Sequence, residues 1–125
     1  METEHIIQFG GDTDDLAEKV LSGKKTATSS LYDYYRMHLK EMIKVGEYVS
    51  ILDSQGNRKC MVRIERSEII RFKNITEAFA IAEGDGNLEN WLKIHTEYYS
   101  SMLEKIGKTL SGETELLCDW FKVLR

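Results

Sequence analysis

Apolar positions recur along this chain in two periods, and the points where one period gives way to the other mark its elements. Leu16, Ala17, Val20 and Leu21 keep helical spacing behind Asp12-Thr13-Asp14-Asp15, whose side chains suit a helix N-terminus, and the stripe stops at Gly23. A short first helix is predicted. The small, partly β-branched run Thr26-Ala27-Thr28-Ser29-Ser30 fits an extended segment or a tight loop. Tyr35, Leu39 and Met42 then return to helical spacing, which predicts a second helix over Tyr32 to Met42.

Val45 to Asp53 reads as a turn leading into a strand, and Ser54-Gln55-Gly56-Asn57 has the composition of a hairpin turn. The second arm alternates, with Cys60, Val62 and Ile64 on one face and Arg63 and Glu65 on the other, and it can continue through Ile69 and Phe72 with a bulge or bend. Asn74-Ile75-Thr76 caps a short helix over Ala78 to Ala82 that ends at Gly84. Asn87 caps a long one, in which Leu88, Trp91, Leu92, His95, Tyr99, Met102, Leu103 and Ile106 form the apolar stripe before Gly107. Leu116 to Leu124 closes the chain as a strand. Strands and helices arranged in this way predict an α+β fold, a small curved antiparallel β-barrel with helices packed around it and one shared core.

Composition narrows the picture. A chain of 125 residues has room for one domain, spanning 1–125, and 42% hydrophobic residues exclude disorder. No window reaches the roughly 18 uncharged apolar residues of a membrane helix. The acidic start Met1-Glu2-Thr3-Glu4 is unlike a secretory signal, so a cytoplasmic protein with no membrane contact is expected. Cys60 and Cys118 sit in apolar runs that suit buried thiols. Neither shows paired ligand spacing with the three histidines, so no metal and no cofactor is expected.

The net charge of −4 argues against a surface that grips nucleic acid all over, yet residues 23–73 hold eleven bases and six acids. That block is either a local anion-facing surface or a set of solvated strand faces balancing acidic helices. Within it, Ser22 to Ser30 places Lys24, Lys25 and four hydroxyls just after Gly23. This is not a phosphate-binding P-loop, because the helix comes before the glycine instead of after it. Composition leaves a ligand site and a polar connection both open.

Gly23-Lys24-Lys25-Thr26-Ala27-Thr28 fits the Gly-x-Lys-x-x-Thr signature of the ASCH domain, a family with a fold like that of the PUA RNA-binding domains. Val45-Gly46-Glu47 resembles the family's Val-Gly-Asp segment before a strand, and Ile51-Leu52-Asp53 followed by Gly56 resembles its Leu-Asp-x-x-Gly hairpin. Phe79 to Gly86 resembles the Ala-x-x-Glu-Gly-x-Gly segment of a small bacterial subgroup. Trp91-Leu92-Lys93-Ile94-His95 with Tyr98-Tyr99 resembles that subgroup's Trp-x-x-x-His-x-x-aromatic-aromatic helix. The matches run in order from residue 9 to 123.

The resemblance implies a PUA-like fold and a protein that recognises RNA or a modified nucleoside. Some members resemble ribonucleases in activity, and one bacterial branch hydrolyses the amide of N4-acetylcytidine with a Lys, a Thr and a Glu that match Lys25, Thr28 and Glu83. Those roles are chemically coherent, with Lys25 as base, Thr28 as nucleophile and Glu83 as acid or orienter. Gly23, Lys24, Ser29, Arg36, Trp91 and His95 are candidate binding residues around them. Two conditions apply. Lys25 acts as a base only where burial or Lys24 disfavours its charge, and otherwise serves as an anion-binding cation. Lys25 and Thr28, three apart, converge only if the segment is not a regular strand. On its own position, on the apolar face of the long helix, His95 reads as a hydrogen-bonded core histidine sooner than as a ligand. Exposed tyrosines among Tyr32, Tyr34, Tyr35, Tyr98 and Tyr99 suit base stacking. Three functions follow: a nucleoside- or RNA-binding module, an amidohydrolase of N4-acylated cytidine, or a protein-interaction module with a vestigial cleft.

Overall fold

The computed structural model describes residues 5–124, so the acidic start Met1 to Glu4 lies outside the described residues. The elements in order are β1 (His5–Ile7), α1 (Thr13–Ser22), β2 (Ala27–Leu31), α2 (Tyr32–Arg36), β3 (Tyr48–Leu52), β4 (Arg58–Arg71), a 3-10 turn (Phe72–Asn74), α3 (Glu77–Ala82), α4 (Leu88–Glu104) and β5 (Glu115–Leu124). The five strands form one curled sheet in the order β1-β3-β4-β5-β2. β3 to β5 and β2 run antiparallel to their neighbours, while β1 lies parallel to β3. The result is an α+β half-barrel in which β1 and β2 are the two free edges. Among the described residues no helix is long and apolar enough to cross a membrane.

The hairpin forms where the sequence places it. Asp53 closes it by accepting from the backbone N–H of Gln55 and of Asn57 at its Oδ1, both at 2.9 Å, around Gly56 at φ +83°. β4 then runs fourteen residues and carries the expected irregularity, with Ile64 opposite Phe121 and Arg66 opposite Trp120. Thr76 and Asn87 cap α3 and α4 through the backbone N–H groups of Phe79 and Asn90. Asp12 makes no side-chain cap on α1. The nearby Asp14 instead accepts from the N–H and hydroxyl of Ser54 in the hairpin turn.

The structure departs from the sequence reading at three points. The second helix ends at Arg36, not Met42, because Met37, Leu39 and Met42 pack against no neighbouring layer and stay exposed, and His38 turns the chain at φ +56°. The strand at His5–Ile7 escapes a periodicity reading because three residues are too few. The expected single core is two buried clusters. Ala27, Leu31, Phe79, Trp91, Tyr99, Leu103, Leu116 and Cys118 form one with α3 and α4, and Ala17, Val20, Val49, Ile51, Val62, Ile64 and Phe121 form the other with α1. β5 serves both: Leu116 and Cys118 face one cluster, and Phe121, of opposite parity, faces the other.

Candidate functional site

A cavity of about 680 Å³ opens where a closed barrel would seal, flanked by residues of both edge strands β1 and β2. That volume lies in the range of small-molecule sites. Ile7, Phe9 and Ile43 bring the α1 cluster to its wall, and Leu31, Tyr34 and Tyr99 bring the other. Lys25, Thr28, Ser29, Glu83 and His95 all line it.

Glu83 is the hub of the polar wall, at the C-terminal end of α3 and only 3% exposed. Its Oε1 accepts from the Lys25 ammonium at 3.3 Å and from the Ser29 backbone N–H at 3.0 Å. Its Oε2 accepts from the Ser29 hydroxyl at 2.9 Å and from the indole N–H of Trp91. Four donors fill the four lone-pair directions of a carboxylate, and three of them can only donate. The carboxylate is therefore an orienter of its neighbours and has no open position for a proton. Lys25, 4% exposed, is held a second time by the Glu83 backbone carbonyl at 3.1 Å and lies 5.2 Å from the Phe9 ring centroid.

Local sequence explains this convergence. Gly23 ends α1 in the left-handed region at φ +85°, Lys25 follows before β2 begins, and the Thr26 N–H bonds the Ala82 carbonyl at 2.7 Å, clamping the segment to the end of α3. Lys25 and Thr28 therefore do not share one regular strand. Gly84, at φ +91°, lets the chain turn just after Glu83, where a Cβ would sit 3.3 Å from the Lys19 side chain and 3.6 Å from Lys25 Cβ.

β2 divides its side chains by alternation. Ala27, Ser29 and Leu31 face α3 and α4, where the Ser29 hydroxyl also meets the Tyr99 hydroxyl at 2.6 Å. Thr28 and Ser30 take the other face. Thr28 stands in register with Asp119 of β5, and among the described residues no group hydrogen-bonds its hydroxyl. Asp119, 6% exposed, also lines the cavity and accepts at Oδ1 from the Ser67 hydroxyl. Burial pushes its pKa up, opposed by the Ser67 hydrogen bond and the Lys40 charge. Sequence reasoning missed this residue, although a lone acid inside the apolar run Leu116 to Val123 was a visible signal.

His95 stacks on Trp91 with ring centroids 4.2 Å apart and donates from Nδ1 to the Trp91 carbonyl at 2.9 Å, with Nε2 3.5 Å from Glu83 Oε2. It is thus both a hydrogen-bonded wall residue and part of the site. Asp85 completes this corner; its Oδ2 is buried without a hydrogen bond, 3.8 Å from His95 Nδ1, and desolvation, with Glu83 adding to it, raises its pKa against His95, Lys25 and Lys19. Glu83, Asp85 and His95 have ligand-type atoms within 4.8 Å of one another, but the donor set does not suit a cation. Both lone pairs of Glu83 Oε2 are already taken by the Ser29 hydroxyl and the Trp91 N–H, which removes one of the three ligands.

Four expected binding residues lie elsewhere. Gly23 serves as the cap of α1, Lys24 is exposed beside it, and Arg36 pairs with Glu115 and lies over the Tyr32 ring. Trp91 is fully buried and acts from behind Glu83. The basic middle block is largely surface: Arg63 pairs with Glu65, Arg66 with Glu68, and Arg71 and Lys73 with Glu113. The cavity wall itself carries six acidic side chains and three lysines.

A family model described as ASCH domain matches residues 5–125. The ASCH domain structure from Lactobacillus crispatus is 25% identical over 95% of this chain and 78% of its own, with a TM-score of 0.90. Protein EF3133 from Enterococcus faecalis is 30% identical over 99% of this chain and 78% of its own, with a TM-score of 0.89. No curated protein matches the chain.

Proposed function

The chain belongs to the ASCH domain family, and on that premise we propose that its cavity receives an uncharged nucleoside and hydrolyses the amide of an N4-acylated cytidine. The observation that carries this reading is the Thr28 hydroxyl, which no described residue hydrogen-bonds, on the wall of a ligand-sized cavity whose Lys25 and Glu83 are locked in position. In that reaction Thr28 is the nucleophile that takes the acyl group. Lys25, which donates to Glu83 at two atoms, enters as a cation that stabilises the oxyanion built up by the attack. Glu83 fixes the Lys25 amine and the Ser29 backbone.

The charge of the wall favours a nucleoside over a phosphodiester chain. Of the three lining lysines, Lys25 is held by Glu83, and Lys19 by Asp15 at 3.4 Å and the Gly84 carbonyl at 3.2 Å. Phosphates would meet an acidic surface. The test is incubation of the pure protein with a panel of N4-acylated cytidines and short RNAs, followed by chromatography, beside Thr28→Val and Lys25→Ala. Release of cytidine by the wild type alone supports the reading. Failure to release cytidine from any member of the panel overturns it.

A further inference from the structure

The hydrolysis just proposed needs a group that takes a proton from Thr28 and returns it to the departing nitrogen, and Glu83, with every lone pair engaged, is closed to that work. Asp119 is open to it. Thr28 and Asp119 are register partners on neighbouring antiparallel strands, which sets both side chains on one face with Cβ atoms about 4.5–5.5 Å apart. Ser29, which does contact Glu83, points to the opposite face. Asp119 is nearly buried, its Oδ1 is held by Ser67, and among the described residues no donor reaches Oδ2. A buried carboxylate with one oxygen vacant on a cavity wall is an acceptor waiting for a ligand atom or a reacting proton.

We infer that Asp119 is the proton carrier for chemistry at Thr28, an inference that rests on the amide-hydrolysis reading of the same cavity. As Thr28 Oγ1 bonds to the acyl carbon, its proton passes to Asp119. As the C–N bond breaks, Asp119 gives that proton to the leaving amine. Water then attacks the acyl-Thr28 ester and loses a proton to Asp119, which returns it to Thr28 Oγ1 as the acid is released. Burial pushes the Asp119 pKa up, which makes its carboxylate a better proton acceptor than an exposed one. The ionisable groups around it are Lys40 from the loop after α2, Tyr35 from α2 and, on the other face of β5, its strand neighbour Cys118.

The experiment exposes the pure protein to p-nitrophenyl acetate, maps the acetylated residues by mass spectrometry and follows the rate of Thr28 acetylation with pH. The expected result is acetyl-Thr28 in the wild type, a loss of about 100-fold or more in Asp119→Asn, and partial recovery in Asp119→Glu. Ser67→Ala keeps Asp119 but removes the donor that holds its pKa down, so the acid limb of the profile moves to higher pH; a purely structural role would leave that limb in place. No acetylation at Thr28 in the wild type, or equal acetylation with an unchanged pH profile in Asp119→Asn, overturns the inference. Acetylation of Thr28 that depends on Asp119 supports it even where no N4-acylated cytidine is consumed. Consumption of that substrate by Asp119→Asn at the wild-type rate overturns it and leaves the hydrolysis reading intact.

Discussion

Trp91 and Glu83 meet inside the protein, where the indole N–H of a tryptophan with no exposed surface donates to Oε2 of a carboxylate eight residues before it. The tryptophan that anchors the long helix in the core also fixes the acid that orients Lys25. Trp91→Phe keeps an aromatic ring but removes the donor, leaving a buried acceptor short of a partner. Urea denaturation is expected to show a loss of about 1–3 kcal/mol; under the proposed hydrolysis, turnover of N4-acylated cytidine should slow as well. Unchanged stability would mean that the indole bond carries no weight.

Lys25 and Glu83 form a buried pair, 4% and 3% exposed. Removing one partner leaves the other's charge uncompensated, so Lys25→Met is expected to cost roughly 3–5 kcal/mol. The double variant Lys25→Met/Glu83→Gln, which neutralises both, should recover part of that loss. Chemical denaturation of the three proteins makes the comparison, and a double variant no more stable than Lys25→Met would contradict the pairing.

Thr28 offers the opposite profile. Its hydroxyl has no described partner to lose, so Thr28→Val should leave stability within about 0.5–1 kcal/mol of the wild type. Turnover should fall on the order of 10³-fold or more if Thr28 is the nucleophile, and Thr28→Ser should retain part of it. A Thr28→Val protein that still hydrolyses acylcytidine removes threonine from the chemistry.

Asp85 sets a pH dependence. Burial, and then Glu83, raise its pKa in the folded protein above the unfolded value, so its charge opposes folding. The wild type therefore has its full stability from this group below the ordinary carboxylate range and loses it as pH rises through the raised pKa. Asp85→Asn, which cannot ionise, should melt at a higher temperature than wild type at neutral pH, and the gap should close in acid. A gap that widens in acid would reverse the sign.

The two cysteines should separate by reactivity. Cys118 has no exposed surface, and burial, then the charges of Glu83, Asp119 and Glu68, push its thiol pKa well above the usual range. Alkylation with iodoacetamide should reach the half-buried Cys60 first and Cys118 only on unfolding. Equal labelling of the folded protein would show that the strand opens readily.

The sequence made the hairpin, the capped helices α3 and α4 and the closing strand legible because each carries its own local signal: Gly56 in the turn, Thr76 and Asn87 as caps, alternation along β4. Lys25, Thr28 and Glu83 were legible only through family motifs, since Glu83 lies 58 residues beyond Lys25 and no period links them. The end of α2 was misread because Leu39 and Met42 keep helical spacing while their side chains find no layer to pack on. Asp119 stands out as a lone acid in an apolar run, but its place beside Thr28 is not legible, because that pairing joins two strands far apart in the chain.

The extra residue in β4 adds no partner to the sheet. Glu65 lies between Ile64, opposite Phe121, and Arg66, opposite Trp120, and has no opposite residue of its own. Such an insertion bends and twists the strand that carries it. Without Glu65 every cross-strand pair of β4 and β5 could persist, Ser67 still beside Asp119, yet the sheet would lie flatter and its free edges would stand further apart. What position 65 supplies is length rather than chemistry. Replacing its exposed side chain should be tolerated, and deleting the residue should loosen the seam around the cavity while leaving the hydrogen-bond ladder whole.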